Sequence, residues 1–166
     1  MIATRYAKIV MMFGLALFGL IVAGDNIIDY GTNLAFVQHV LSMDTTFPGN
    51  ALLWRSTTSP AIHQVGYCLI IGAEAVTGLL FLICAWKLAA NLKASAQAFQ
   101  RAKSYGVAAA TMGFATWFIG FMVVGGEWFA SWQSKIWNGQ QSAFYFYTTM
   151  LIVLIFLMQQ DDELTV

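Results

Sequence analysis

His63, Tyr67, Ile70, Glu74, Thr77 and Phe81 recur at steps of three and four along the middle of the chain. On an α-helix that spacing lines them up along one face. A histidine, a phenol and a carboxyl in a row suit two kinds of chemistry. One is a proton path. The other is a pocket for the polar head of a molecule such as a quinone. Glu74 lies halfway along an apolar segment, where an ionised carboxylate costs at least a few kcal/mol, roughly, so it should face other helices or be protonated. The plainer reading is a neutral Glu74 hydrogen-bonded to a Thr or Tyr of a neighbouring helix. No Lys or Arg lies at matching depth in another apolar segment.

A second set of polar residues comprises Asp25, Asn26, Asp29, Asn33, His39, Asp44, Arg55 and Glu127. Oxygen and imidazole groups of this kind can bind a divalent cation. Their spacing matches neither HExxH nor an EF-hand loop, so a solvated polar cap is the expectation and no metal site is assigned. Arg55 is the one basic residue of this loop and is expected to pair with Asp25, Asp29, Asp44 or Glu127, fixing the loop over the bundle. His39 and His63 are the only histidines, and neither falls where two axial haem ligands would stand. Cys68 and Cys84 are sixteen positions apart on one segment, about 24 Å on a helix, too far to pair. With no nucleophile–base pair and no phosphate-binding loop, catalysis has no positive signal, and an enzyme is not expected. No resident cofactor is expected either, with a quinone or a divalent metal as the alternatives.

The elements that must position these groups follow from composition. Of 166 residues, 59% are hydrophobic and 10% charged, against roughly a quarter charged in soluble domains. Mean hydropathy is +0.68. Eight basic and eight acidic residues cancel, which leaves no basic footprint for nucleic acid. Four stretches, about residues 6–24, 61–86, 105–128 and 142–158, are long and apolar enough to span a bilayer core of about 30 Å. Backbone amides in lipid must be satisfied within the segment, and continuous apolar runs favour helices over a barrel. The expected architecture is all-α: one integral membrane four-helix bundle over residues 1–166. The first span resembles a signal peptide, but its apolar run is long for one and it is expected to be retained.

Arg5, Lys8, Lys87, Lys93, Arg101 and Lys103 fall on one side of these spans. The positive-inside rule therefore puts both termini in the cytoplasm and the long first loop, residues 25–60, outside. In that loop Leu34, Val37, Val40 and Leu41 recur at helical spacing, predicting a short amphipathic helix on the outer membrane surface. Gly106, Gly113, Gly120 and Glu127 are seven apart, with Ala109 and Thr116 on the same face. Small residues at this period predict a helix-packing seam, within the chain or between subunits.

The run DNIIDYGTNLAFVQHVLSMDTTFPGN, then LLWRSTTSPAIHQVGY and IIGAE, resembles a bacterial family described as predicted small integral membrane proteins. The marks are Asp25-Asn26, Asp29-Tyr30, Asn33, His39, Met43-Asp44, Trp54-Arg55, Tyr67 and Glu74. The resemblance covers nearly the whole chain and implies four helices in a bacterial inner membrane, with no activity attached. The leading expectation is a non-enzymatic accessory or scaffold subunit of a larger inner-membrane complex, with lipids and other membrane subunits as partners. A homo-oligomeric channel or proton-linked transporter using Glu74 is the first alternative. A quinone- or metal-binding redox subunit is the second.

Overall fold

The computed structural model describes residues 1–164, and among them every regular element is helical. α1 (Ile2–Ile28) runs into α2 (Tyr30–Ser42) through a break at Asp29. α3 spans Pro60–Ala90, with Pro60 in its first turn, where its missing N–H is harmless. α4 (Ala96–Ala102) and α5 (Ser104–Phe114) lead into a π-helical stretch, Ala115–Trp128. α6 is Gln140–Met158. Four helical runs, Ile2–Ile28, Pro60–Ala90, Ala96–Trp128 and Gln140–Met158, are long and apolar enough to cross a membrane. Their outward faces carry exposed Val10, Leu69, Ile119 and Ile155, as side chains solvated by lipid do.

α1 lies along α3 for most of its length. Two glycines set the approach: a Cβ added at Gly19 would stand 2.9 Å from the Cα of Gly78, and one at Gly78 would stand 2.7 Å from the Leu20 nitrogen. Such backbone contact is how small residues hold helices together in lipid. The seam from Gly106 to Thr116 packs inside this chain. A Cβ at Gly106 would meet Leu157 and Cys84, and one at Gly113 would meet Met150 and Thr77.

Beyond Ala115 the seven-residue period no longer keeps its face. The i→i+5 winding of a π-helix holds more residues per turn than an α-helix, so positions five apart stack instead. Thr116 and Gly126 turn inward, while Gly120 is half-buried and Glu127 exposed. The expected seam therefore ends at Thr116.

α2 forms where helical spacing predicts it, but its apolar face turns onto the bundle. Val37 and Val40 are buried, and Leu41 and Val37 lie over Gly66 of α3. The chain's own apolar surface takes the face expected to meet lipid. The rest of the loop is fastened to the segment before α6. Gln133 Oε1 accepts from the Phe47 backbone N–H at 3.0 Å and from Asn50 Nδ2 at 3.1 Å, and Thr45 donates to Ser134 at 2.8 Å.

At the opposite end an ionic clasp joins α1, α5 and the segment after α6. Lys8 and Lys103 are buried, and both ammonium groups meet one carboxylate oxygen, Oδ2 of Asp161, at 2.8 and 2.5 Å. Each also donates to the Gln159 carbonyl at 2.7 Å. Arg5, fully buried, donates to the carbonyls of Leu92, Ala94 and Asp162. Burial pushes the Asp161 carboxyl up, but the Lys103 and Lys8 ammonium groups outweigh it and hold it below the usual carboxylate range.

Candidate functional site

The close crossing at Gly19 and Gly78 fixes how deep each polar group of α1 sits against α3. Seven residues beyond Gly19 is Asn26, and in antiparallel register it falls between Tyr67 and Glu74 of α3. Asn26 Nδ2 donates to Glu74 Oε2 at 2.7 Å. The Tyr67 hydroxyl donates to the Asn26 carbonyl at 2.8 Å and lies 3.2 Å from its Oδ1. Glu74 is only 2% exposed, and its other oxygen, Oε1, takes no hydrogen bond from the described residues. The partner of Glu74 is thus the Asn26 amide, rather than the Thr or Tyr expected.

The predicted stripe does face inward, with His63, Tyr67, Glu74, Thr77 and Phe81 all buried. It does not act as one unit. His63 Nε2 faces the Thr57 carbonyl at 2.9 Å, tying α3 to the loop before it. Thr77 bonds its own helix, at the Ala73 carbonyl 2.8 Å away, and packs on Gly113. Only Tyr67 and Glu74 meet, and they meet through Asn26. Outside Tyr67 the ring of Tyr30 lies 4.8 Å away, its hydroxyl hydrogen-bonded to Gln64.

The outer polar set disperses. Asp25 and Asp29 are exposed, Asn33 bonds back to the Asp29 carbonyl, and Glu127 is exposed. His39 pairs with Asp44 at 2.7 Å and stacks flat on Trp137 at 4.5 Å. Among the described residues no three His, Cys, Asp or Glu side chains stand together as a metal site would need. Arg55 departs from expectation: among the described residues it makes no ion pair. Its guanidinium sits 5.2 Å from the Trp54 ring and 4.5 Å from the Trp128 ring, and donates to the Trp128 carbonyl at 3.2 Å. Guanidinium is weakly hydrated and stacks well on indole faces, so two tryptophans and a carbonyl hold it in place of a carboxylate. It still fastens the loop. Arg55→Ala should weaken that attachment by about 1–2 kcal/mol, read as faster proteolysis of residues 43–58 with the four spans intact.

Glu74, Asn26 and Tyr67 form one wall of a cavity of about 300 Å³, with Trp117, Asn138 and Ser142 opposite. That volume is at the small end of ligand pockets. Among the described residues no Lys, Arg or His lines it. A second cavity of about 280 Å³ adjoins it between α2, α3 and the π stretch, and the two share Phe36, Val37, Ile70, Phe121 and Gly139 as walls. Ser131 is the one polar side chain of this second space among the described residues. Trp117, Asn138 and Ser142 carried no signal of their own in the sequence. π-helical winding is rare and concentrates at functional sites; here it supplies Trp117 and Phe121 to the chamber.

The arrangement can hold a polar group against Glu74. The Asn26 amide stands between the Tyr67 hydroxyl and the Glu74 carboxyl. The model of one family, described as "predicted small integral membrane protein" (DUF2165), matches residues 4–160, which takes in every residue from Asp25 to Glu74. No curated protein and no solved structure matches the chain.

Proposed function

Since the chain belongs to that family of predicted small integral membrane proteins, a description of place rather than activity, we propose that it is a membrane-embedded binding subunit that holds the polar head of a lipid-soluble molecule beside Glu74. The observation that carries this is the chamber of about 300 Å³ lined by Glu74, a buried residue whose second carboxyl oxygen takes no hydrogen bond from the described residues. On this reading the chain is non-catalytic, and a larger membrane complex is the source or destination of the bound molecule. The basic residues at the end bearing Arg5, Lys8 and Lys103 favour a cytoplasmic position for that end, and a bacterial inner membrane for the whole.

The test is extraction. Wild type and Glu74→Leu are purified in mild detergent, extracted with organic solvent and compared by mass spectrometry. Leucine replaces a polar group by an apolar one of similar size inside a membrane helix, so the fold should tolerate it. One species should be retained by wild type and fall about tenfold in Glu74→Leu, the equivalent of one hydrogen bond to a charged or strongly polar group. Identical extracts would overturn the reading.

A further inference from the structure

We infer that the bound molecule is a single-chain amphiphile with a hydrogen-bond-donating head free of negative charge, whose apolar chain leaves the chamber sideways through the groove between α2, α3 and the π stretch. This rests on the binding reading above and gives it a ligand class and a route.

The head follows from what the chamber has left to offer. The Asn26 amide is spent on Glu74, and the Tyr67 hydroxyl on Asn26. Glu74 Oε1 is left on one wall and the Trp117, Asn138 and Ser142 side chains on the other, so a neutral head that both donates and accepts, a hydroxyl or an amide, meets both. A phosphate or carboxylate head would lie against Glu74 with no cation lining the chamber. An unpaired buried anion is strongly disfavoured. That disfavours ordinary anionic lipids.

The route follows from the winding of the third span. Gly120 and Gly125 are five residues apart, which on an α-helix puts them on nearly opposite faces and on a π-helix stacks them. A Cβ built at Gly125 lies 3.5 Å from the Gly120 carbonyl, as stacking requires. Both line the groove, with Gly66 of α3 across from them, and at none of the three would a Cβ come closer than 3.5 Å to another atom. Three missing side chains make room for an extended chain. The groove shares its walls with the chamber at Val37, Phe121 and Gly139, so one molecule can occupy both. Outward it reaches Leu69, 68% exposed on the lipid face.

The experiment uses the full chain in phosphatidylcholine vesicles and a monoacylglycerol carrying a diazirine in its chain. Cross-links are expected in peptides containing Val40–Leu41 and Val124–Phe129. Unlabelled monoolein should compete about tenfold better than oleate, and glycerol should not compete, on the scale of one lost hydrogen bond. Gly120→Leu, which fills the groove and leaves the chamber alone, should lower labelling about tenfold; Gly66→Val serves if that protein misfolds by circular dichroism. Glu74→Leu should remove the preference over oleate. Competition by oleate equal to monoolein, or unchanged labelling in a folded groove-filled variant, overturns the inference. If a Glu74-dependent molecule is still extracted in that case, the binding reading stands with a different ligand. If none is, both fall.

Discussion

In the Asp161→Ala protein, Lys8 and Lys103 stay buried with no anion between them, and the expected result is a loss of about 3 kcal/mol or more in stability, read as a lowered unfolding midpoint in detergent. The two ammonium groups share Oδ2 of that carboxylate at 2.8 and 2.5 Å, and the side chains of all three residues are no more than 1% exposed. Removing one member of such a group leaves charges buried without compensation, which is worse than removing all of them. Lys8→Met with Lys103→Met and Asp161→Leu should therefore recover most of what Asp161→Ala loses. The pH dependence has a definite sign. The folded carboxyl sits below its unfolded value of about 4, so the clasp contributes fully above that value and is lost as pH falls through the depressed folded one. Asp161→Asn should flatten this acid limb. A midpoint unchanged in Asp161→Ala would mean that the Gln159 carbonyl and water suffice for both lysines.

Gly78→Ala is the second large effect. Its new methyl would stand 2.7 Å from the Leu20 nitrogen and 2.8 Å from the Leu20 Cγ. Backbone cannot turn aside as a side chain can, so α1 and α3 must part. Overpacking of this kind costs about 1–3 kcal/mol, and Gly78→Leu should cost more. The same parting carries Asn26 away from Glu74, so the bound molecule should be lost although nothing in the chamber has changed. Gly14→Ala and Gly72→Ala are the controls, since a Cβ at either meets no atom within 4 Å; both should keep wild-type stability or gain slightly. Thermal midpoints and solvent extracts of the four proteins make the comparison. Gly78→Ala as stable as Gly72→Ala would overturn the backbone-contact account of this crossing.

The spans were legible because lipid imposes one requirement, apolar length, on every residue of a segment. The inward face of Glu74 was legible because helical periodicity is local. What was hidden depended on depth between helices. Asn26 sits at the end of an apolar run and read as part of an outer cap; its contact with Glu74, 48 positions away, follows only once Gly19 and Gly78 set the register. The signal was present in those two small residues, but small residues occur on several helices and nothing local pairs them. Lys8 and Asp161 are 153 positions apart, and the acidic run Asp161-Asp162-Glu163 carries little weight in an orientation rule that counts cations. The seven-residue period misled beyond Thr116 because it assumes α-helical winding. Three glycines, Gly120, Gly125 and Gly126, mark the stretch where that assumption fails. Arg55 was assigned a carboxylate by charge alone, and two indoles were the better fit.

The clasp also imposes an order on biosynthesis. Lys8 and Arg5 enter the membrane region with the first span, yet Asp161 and the carbonyls of Gln159 and Asp162 emerge only after the fourth. Until then those cations need water or lipid headgroups as temporary partners, which holds the start of α1 at the membrane surface. Closing a contact over so long a stretch of chain is slow relative to local helix formation. Integration of four spans and completion of the fold are therefore separate events, with the bundle able to sit in the membrane before it is locked. A chain truncated just short of residue 159 and released from the ribosome should be fully inserted and still open to protease at its α1 end, a vulnerability that the full chain lacks.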